Sequence, residues 1–484
     1  MATAPPAQSR DLRKALRLRH LIMLSVGGTI ASGFLLASGG AIALAGPGVV
    51  ITYIIAGLVS IGVMGCLAEL SVRGYTAAGF AKYAEDTMGP LIGFLTGWNY
   101  WLAWVVGPAA EALAVATFAS ALPPFHNIPI WLMAFVVVTL DLAINFTGVL
   151  TMGNYEFVLS TIKVIALIVF AVLCLSAVFG IGFPAIGTTN LVGQGGFLPL
   201  GGAGLFTSFL LVFYAYTGIE LVSVSAEESV NPARDVPRAL MGTAALVTAI
   251  FVVCSIAMVG VVSWKTLGTS SSPLVDAVNA IHQQGFSTVL TIAIIIASIT
   301  GIDAGIYTGS RMLFALSRAS YFPQRASLTS QRSKVPTMAL VITGLCLYIG
   351  VIADVVSPKL AYIVLGSLST LGFLWAWLMI PIIQIIYRRR MSPQEVKEMQ
   401  WRLPLFPLIP IACIALIAVA IIAPIFQSTP GIGPIDAGAL PVVAGAIWMA
   451  IWIGYYFAYG RRLRAAAEAS AADSGDVVVE TSAP

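Results

Sequence analysis

The chain has 484 residues, of which 58% are hydrophobic and only 10% are charged, and its formal net charge is +4. A water-soluble protein of this length needs more charge on its surface, so the composition excludes a soluble enzyme, and we expect no nucleic-acid partner. Apolar runs long enough to cross a bilayer recur along the chain. Barrel strands would give short alternating segments instead. The sequence therefore predicts an all-α polytopic membrane protein.

Twelve apolar segments are predicted to span the bilayer. They lie at 21–44, 48–70, 89–121, 128–148, 154–180, 202–225, 239–262, 286–315, 336–353, 359–387, 403–424 and 439–459. With a cytoplasmic N-terminus, 22 of the 25 lysines and arginines fall on the cytoplasmic side, and the exceptions are Lys163, Lys265 and Lys359. Because cytoplasmic loops carry the excess of basic residues, both termini are predicted to be cytoplasmic. The basic N-terminus leads into a full-length span, so no cleavable signal peptide is expected.

The first predicted span contains an unusual run, GGTIASG at 27–33, in which three glycines and two hydroxyl residues make poor mid-membrane helix. The sixth span has a matching weak point, YAYTG at 214–218. Each run opens a block of five spans, and paired broken helices of this kind indicate an inverted-repeat transporter. Free N–H groups there suit a carboxylate and free C=O groups suit an ammonium, so the pair could hold a zwitterion. The alternative is that these glycines only allow close helix packing.

Ionisable residues inside the predicted spans are few. Lys163 lies about 14 Å into the fifth span, at roughly 1.5 Å per residue, and so is near the bilayer midplane. A charge there costs at least ~2.5–3.5 kcal/mol, so it must face protein or a wet cavity, and it is a candidate proton or ion site. The intramembrane acids are Glu111, Asp141, Glu220 and Asp303, in spans 3, 4, 6 and 8.

Several motifs resemble one family. They are 27–48 (GGTIASGFLLASGGAIALAGPG), 79–101 (GFAKYAEDTMGPLIGFLTGWNYW), IKVIAL around Lys163, 218–239 (GIELVSVSAEESVNPARDVPRA), SPLV at 272–275 and SRMLFALS at 310–317. They cover spans 1 to 8 in order and resemble the bacterial amino acid permeases of the amino acid–polyamine–organocation superfamily. The resemblance implies a LeuT-like fold of two inverted five-helix repeats plus two helices, and uptake of amino acids with protons.

The resemblance also implies a division of the chain. We expect a cytoplasmic N-terminal tail at 1–20, a first repeat at 21–180, a second repeat at 202–387, two further helices at 403–459 and a disordered cytoplasmic tail at 460–484. The expected location is the plasma membrane, because the family imports nutrients across it.

The resemblance places a substrate site between the two weak points. Its implied residues are Thr29, Ile30, Ala31, Ser32 and Gly33 from span 1 and Phe213, Tyr214, Ala215, Tyr216 and Thr217 from span 6. The span 1 residues would bind the substrate's carboxylate and amino group. Tyr214 or Tyr216 would cover the substrate as an aromatic gate, unless these rings pack or face lipid. Ala31 replaces the glycine that relatives usually carry, so its methyl group could narrow the site.

Lys163 and three acids are implied in proton coupling. Lys163 matches a span 5 lysine proposed in relatives to replace a sodium ion. Its ammonium could bind span 1 carbonyls when charged and release them when neutral, which would bias one conformation. The alternative is a static cation that never titrates. A sodium ion at this position is disfavoured, because two cations would compete for the same carbonyls.

The acids carry open alternatives. Glu111 would lie near the substrate or a proton route, or make a packing contact between helices. Glu220 would carry a proton or act as a strut for the unwound segment. Asp303 replaces the asparagine usual in relatives, and could bind a cation, pair with Lys163 or favour a basic substrate. For Asp141 a local pairing is expected.

Other classes of protein lack support in the sequence. There is no HExxH, GxSxG or histidine pair, none of the five cysteines has a CxxC neighbour, and no soluble signalling domain is long enough to form a receptor. We therefore expect a non-enzyme with no cofactor and no metal, whose partners are an amino acid, a proton and the bilayer. An amino acid exchanger and a sodium-coupled symporter stay open as alternatives. The amino acid carried and the oligomeric state are not encoded in any recognisable motif.

Overall fold

The computed structural model describes residues 12–72, 77–270, 272–422, 440–461 and 464–465. The expectations for the two tails therefore lie mostly outside the described residues. Within them, the α-helices are α1 (Leu18–Thr29), α2 (Ser32–Leu35), α3 (Ser38–Ala45), α4 (Val49–Ser71), α5 (Phe80–Met88), α6 (Pro90–Ser120), α7 (Ile130–Asn145), α8 (Val149–Phe179), α9 (Thr189–Val192), α10 (Gly201–Tyr216), α11 (Leu221–Val224), α12 (Pro232–Val261), α13 (Trp264–Leu267), α14 (Pro273–Ala280), α15 (Gln284–Arg318), α16 (Thr337–Val356), α17 (Pro358–Arg389), α18 (Pro393–Glu398), α19 (Leu408–Ile422) and α20 (Leu440–Tyr455).

Nine helical stretches in the described ranges are long and apolar enough to cross a bilayer. They are Ser32–Ser71, Pro90–Ser120, Val149–Phe179, Gly201–Val224, Pro232–Val261, Gln284–Arg318, Thr337–Val356, Val364–Arg389 and Val443–Gly460. Three predicted spans do not form separate long helices. The first is broken at Ile30, and the fourth and eleventh form α7 and α19, of 16 and 15 residues. The all-helical, multi-span class is confirmed, and the count of twelve stays a prediction.

The first predicted span is interrupted where its glycine-rich run lies. α1 ends at Thr29 and α2 begins at Ser32, so Ile30 and Ala31 are not helical. Ala31 has extended backbone, with φ −139° and ψ −158°. The interruption that the sequence predicts is confirmed, and it leaves the last carbonyls of α1 without partners inside the helix.

The sixth predicted span is also interrupted. α10 ends at Tyr216, Thr217 has extended backbone, and α11 begins only at Leu221. Gly218 has φ +106°, a conformation that a residue with a side chain rarely adopts. A Cβ on Gly218 would lie 2.8 Å from the carbonyl oxygen of Gly28, so the two interruptions are in direct contact.

The long helices form a scaffold around these interruptions. α6 packs against α15 and α17, while α1 contacts α8, α12 and α15, and α10 contacts α3 and α4. This arrangement brings residues from α6, α8, α15 and α17 against the unwound backbone of both broken helices. The core around them is buried and apolar, so the few polar groups it contains must find partners there.

The segment that precedes α1 is fixed to the chain that follows α11. The backbone N–H groups of Ala15 and Leu16 each donate to the Glu228 carbonyl at 2.9 Å, and Val230 N–H donates to the Leu16 carbonyl at 2.9 Å. The Glu228 carboxylate pairs with Arg311 of α15 at 3.1 Å, and both side chains are buried. Both broken helices are therefore tied to α15 on the side predicted to be cytoplasmic.

Candidate functional site

A cavity lies between the two interruptions. The first interruption contributes Thr29, Ala31 and Gly33 to its walls, and the second contributes Tyr214 and Thr217. The remaining walls come from α6, α15 and α17 and include Trp104, Glu111, Gly301, Ser369 and Phe373. The cavity thus combines unwound backbone with aromatic faces and one carboxylic acid.

Half of the residues predicted to bind substrate do not line this cavity. They are Ile30, Ser32, Phe213, Ala215 and Tyr216. The Tyr216 hydroxyl donates to the Tyr53 carbonyl at 2.8 Å, and its ring packs edge-on against Phe251 at 5.1 Å. Tyr216 therefore points into the contact between α10, α4 and α12, and only Tyr214 has the position expected of an aromatic cover.

Lys163 makes three hydrogen bonds at the end of α1. Its Nζ donates to the carbonyl oxygens of Gly27 at 2.8 Å and Ile30 at 3.0 Å, and to the Thr300 hydroxyl at 2.6 Å. Lys163 is 1% exposed. The ammonium thus satisfies carbonyls that the broken helix leaves free, and its charge suits the negative end of a helix. A neutral amine has only two N–H donors and could not donate to all three oxygens.

Glu111 reaches from α6 to the start of α2. Both of its carboxylate oxygens accept from the Ser32 N–H, at 2.9 and 3.0 Å, and one also accepts from the Ser32 hydroxyl at 2.6 Å. The Tyr362 hydroxyl of α17 donates to the Ser32 hydroxyl oxygen at 3.0 Å. These contacts cover Ser32, which explains why it does not face the cavity, and they place Glu111 on donors that the sequence assigned to the substrate.

Glu220 holds the second interruption from within. Its two carboxylate oxygens accept from the Gly218 N–H at 3.1 and 3.2 Å, and the Trp377 indole N–H donates to one of them at 2.9 Å. Glu220 is fully buried and does not line the cavity. This geometry is that of the strut, one of the two roles left open by the sequence.

Asp303 lies away from the cavity and from Lys163's hydrogen bonds. It accepts a hydrogen bond from the Asn145 side-chain amide of α7, and it lies within hydrogen-bonding reach of Glu156 of α8. Asp141, one turn before Asn145, interacts electrostatically with Asp303. This interaction is between two acids and is not the local pairing expected for Asp141, whose Oδ2 is buried without a hydrogen-bond partner. A direct pair between Asp303 and Lys163, one of the alternatives for Asp303, is not formed.

Two contributors were missed from the sequence. Thr300 binds Lys163, and Glu156 lies beside both α1 and Asp303. A signal for Thr300 exists, because Thr300, Asp303 and Tyr307 recur at helical spacing along one face of an apolar span. Glu156 also falls inside the fifth span as predicted, seven residues before Lys163 and thus on the same face of the helix.

Long apolar helices, two of which are broken where they line a common cavity, define a multi-pass membrane protein of the transporter class. The overall fold is similar to that of a mutant of the manganese transporter of Eremococcus coleocola, with a TM-score of 0.54 over 92% of this chain and 95% of that chain. The two sequences are 15% identical, so the similarity concerns the fold alone.

The family profile described as amino acid permease matches residues 20–467, and the chain belongs to this family. The uncharacterized amino acid permease YtnA of Bacillus subtilis (strain 168) is 31% identical, over 96% of this chain and 98% of its own. The gamma-aminobutyric acid permease of the same organism is 31% identical, over 81% and 84%. The D-serine/D-alanine/glycine transporter of Escherichia coli (strain K12) is 29% identical, over 83% and 86%.

Proposed function

We propose that this protein imports an amino acid together with a proton. The observation that carries the proposal is the position of Lys163, whose ammonium binds the free carbonyls of the first interruption beside the cavity. A protonated Lys163 holds α1 against α8 and α15, and loss of the proton removes one of its three donors. Protonation would therefore favour one arrangement of α1 over another, which is the coupling that a symporter requires.

In this proposal the substrate occupies the cavity between the interruptions. Its ammonium would face the backbone of Gly28 and Thr29, which lines the cavity, and Tyr214 would cover it. Its carboxylate would take the Ser32 donors, which Glu111 now holds. Protonation of Glu111 would weaken its bond to the Ser32 N–H, because a charged acceptor binds an amide more strongly than a neutral one. Substrate and proton would then enter together.

The proposal extends to architecture and placement. We propose twelve transmembrane helices, with inverted repeats at 21–180 and 202–387 and two further helices at 403–459, in the plasma membrane with both termini in the cytoplasm. Transport would follow alternating access, with the broken helices and their neighbours rocking against the remaining helices. The relatives named above support an amino acid as substrate, although they carry different ones.

The test is uptake of a mixture of radiolabelled amino acids into sodium-free proteoliposomes whose lumen is alkaline. We expect accumulation that collapses when a protonophore is added and that is absent with Lys163→Ala. Empty liposomes and equal internal and external pH are the controls. Single amino acids then identify the substrate.

Two other results would replace the proposal. Uptake that ignores the pH gradient but appears when the lumen is preloaded with amino acids would identify an exchanger. Uptake that requires external sodium at equal pH would identify a sodium-coupled symporter. In either case, the proton role of Lys163 would be wrong.

A further inference from the structure

Three buried carboxylic acids from three different helices interact outside the cavity. Glu156 of α8 and Asp303 of α15 lie within hydrogen-bonding reach of each other, and Asp141 of α7 interacts electrostatically with Asp303. All three side chains are at most 2% exposed. We name this group the carboxyl cluster. The cluster lies closer than Lys163 to the start of α8, and the charge distribution assigns this side to the cytoplasm.

The carboxyl cluster has no bound cation partner among the described residues. None of the ion pairs there includes its members. Asp141 Oδ2, Glu156 Oε1 and Asp303 Oδ2 are buried without a hydrogen-bond partner. The Asn145 amide, which is 3% exposed, donates to Asp303 while its own Oδ1 is buried and unpartnered. The site therefore offers several acceptors and too few donors.

Protons are the simplest missing donors. A hydrogen bond between two carboxyl groups requires a hydrogen on one of them, and buried carboxylates that repel one another are not all ionised at once. A proton on Glu156 or Asp303 would supply the bond between them and reduce the repulsion with Asp141. No group of His, Cys, Asp and Glu within the described ranges is arranged to hold a metal ion.

The carboxyl cluster is connected to Lys163 through Gly27. The Gly27 carbonyl accepts from Lys163 Nζ at 2.8 Å, and a Cβ built on Gly27 would lie 2.3 Å from Glu156 Oε2. Glu156 also lies two turns from Lys163 on the same face of α8, about 10 Å along the helix. A movement of α1 at Gly27 would therefore alter the surroundings of Lys163 and of Glu156 together.

We propose that the carboxyl cluster is a second proton-binding site, in which the carboxyl groups share at least one proton. We propose further that the cluster accepts the proton released by Lys163 and that this proton then passes to the cytoplasm. The transfer moves H⁺ from the Lys163 ammonium to a carboxylate oxygen of Glu156, leaving a neutral amine and a neutral acid. The other titratable or charged groups whose electrostatic influence reaches the cluster are Tyr155, Lys163 and Arg311. The shared proton does not depend on the proposed function, whereas the transfer from Lys163 rests on the proposed proton symport.

Infrared difference spectroscopy of the full-length protein in liposomes tests the shared proton. We expect a carbonyl band of protonated carboxylic acid at neutral pH, where acids in water, with pKa values of about 4, are ionised. Asp303→Asn and Glu156→Gln should each weaken this band, and the surface control Asp86→Asn should leave it unchanged. If one cluster variant fails to fold, the other reports on the same proton.

An unchanged band in both cluster variants would overturn the shared proton, as would a band that responds to sodium but not to pH.

Uptake measurements then test the proton transfer from Lys163 to the cluster. Asp303→Asn should lower gradient-driven uptake about tenfold or more while exchange at equal pH is retained, because exchange needs no net proton release. Full gradient-driven uptake in this variant would refute the transfer and leave the infrared result standing. If uptake by the unsubstituted protein did not depend on the pH gradient, symport would be refuted but the shared proton would not.

Discussion

The two helix interruptions are stabilised in opposite ways. At the first, Lys163 comes from a different helix, 133 and 136 residues along the chain from the carbonyls that it binds. At the second, Glu220 lies only two residues from the Gly218 N–H that it accepts from. The first interruption is thus held by a contact that breaks when α1 moves away from α8. The second also accepts a bond from Trp377 of α17, but its bond between Gly218 and Glu220 lies within the segment, so α10 and α11 can move without losing that bond. The comparison indicates that the first interruption is the one that a proton can control.

The largest expected effect therefore belongs to Lys163. Lys163→Ala leaves the buried Ile30 carbonyl without this donor and the Gly27 carbonyl with only the Thr300 hydroxyl at 3.4 Å. An unsatisfied buried acceptor costs about 1–3 kcal/mol. Since about 1.4 kcal/mol is a factor of ten, we expect at least a tenfold loss of gradient-driven uptake and a lower melting temperature of the purified protein.

Lys163→Arg separates the two contributions of this residue. An arginine keeps a charged donor at the first interruption but stays protonated at any working pH. We expect it to restore much of the melting temperature and none of the dependence of uptake on the pH gradient. If uptake by Lys163→Arg still followed the pH gradient fully, residue 163 would act as a static cation that never titrates, which is the alternative given above.

A smaller effect is expected at the second interruption. Glu220→Gln keeps an acceptor for Gly218 N–H and Trp377 but removes the charge, and charge-assisted bonds exceed neutral ones by about 1 kcal/mol. The melting temperature should fall, and the pH dependence of uptake should keep its shape. A changed pH profile would contradict the comparison, because it would make Glu220 a proton carrier as well. Trp377→Phe, which removes only the indole donor, is the matched control.

The sequence predicted the backbone of the site better than its side chains. Glycines and hydroxyl residues in an apolar span mark a poor helix, so both interruptions were predictable from local composition. The depth of Lys163 marked it as functional, but its partner Thr300 depends on how α15 packs against α8, which no local pattern encodes. Likewise α7 and α19 are apolar as predicted, yet their helical lengths of 16 and 15 residues depend on where the flanking backbone turns.

The smallest effect is expected at Tyr216, and it tests the orientation of the two tyrosines. Tyr214 and Tyr216 are two residues apart on one helix and therefore project in different directions. Tyr216→Phe removes a buried hydrogen bond to the Tyr53 carbonyl and should cost about 1 kcal/mol of stability, with an unchanged substrate concentration for half-maximal uptake. Tyr214→Ala should raise that concentration, because its ring lines the cavity. The reverse pattern in a proteoliposome uptake assay would mean that Tyr216 covers the substrate, and that α10 rotates between this structure and the substrate-bound state.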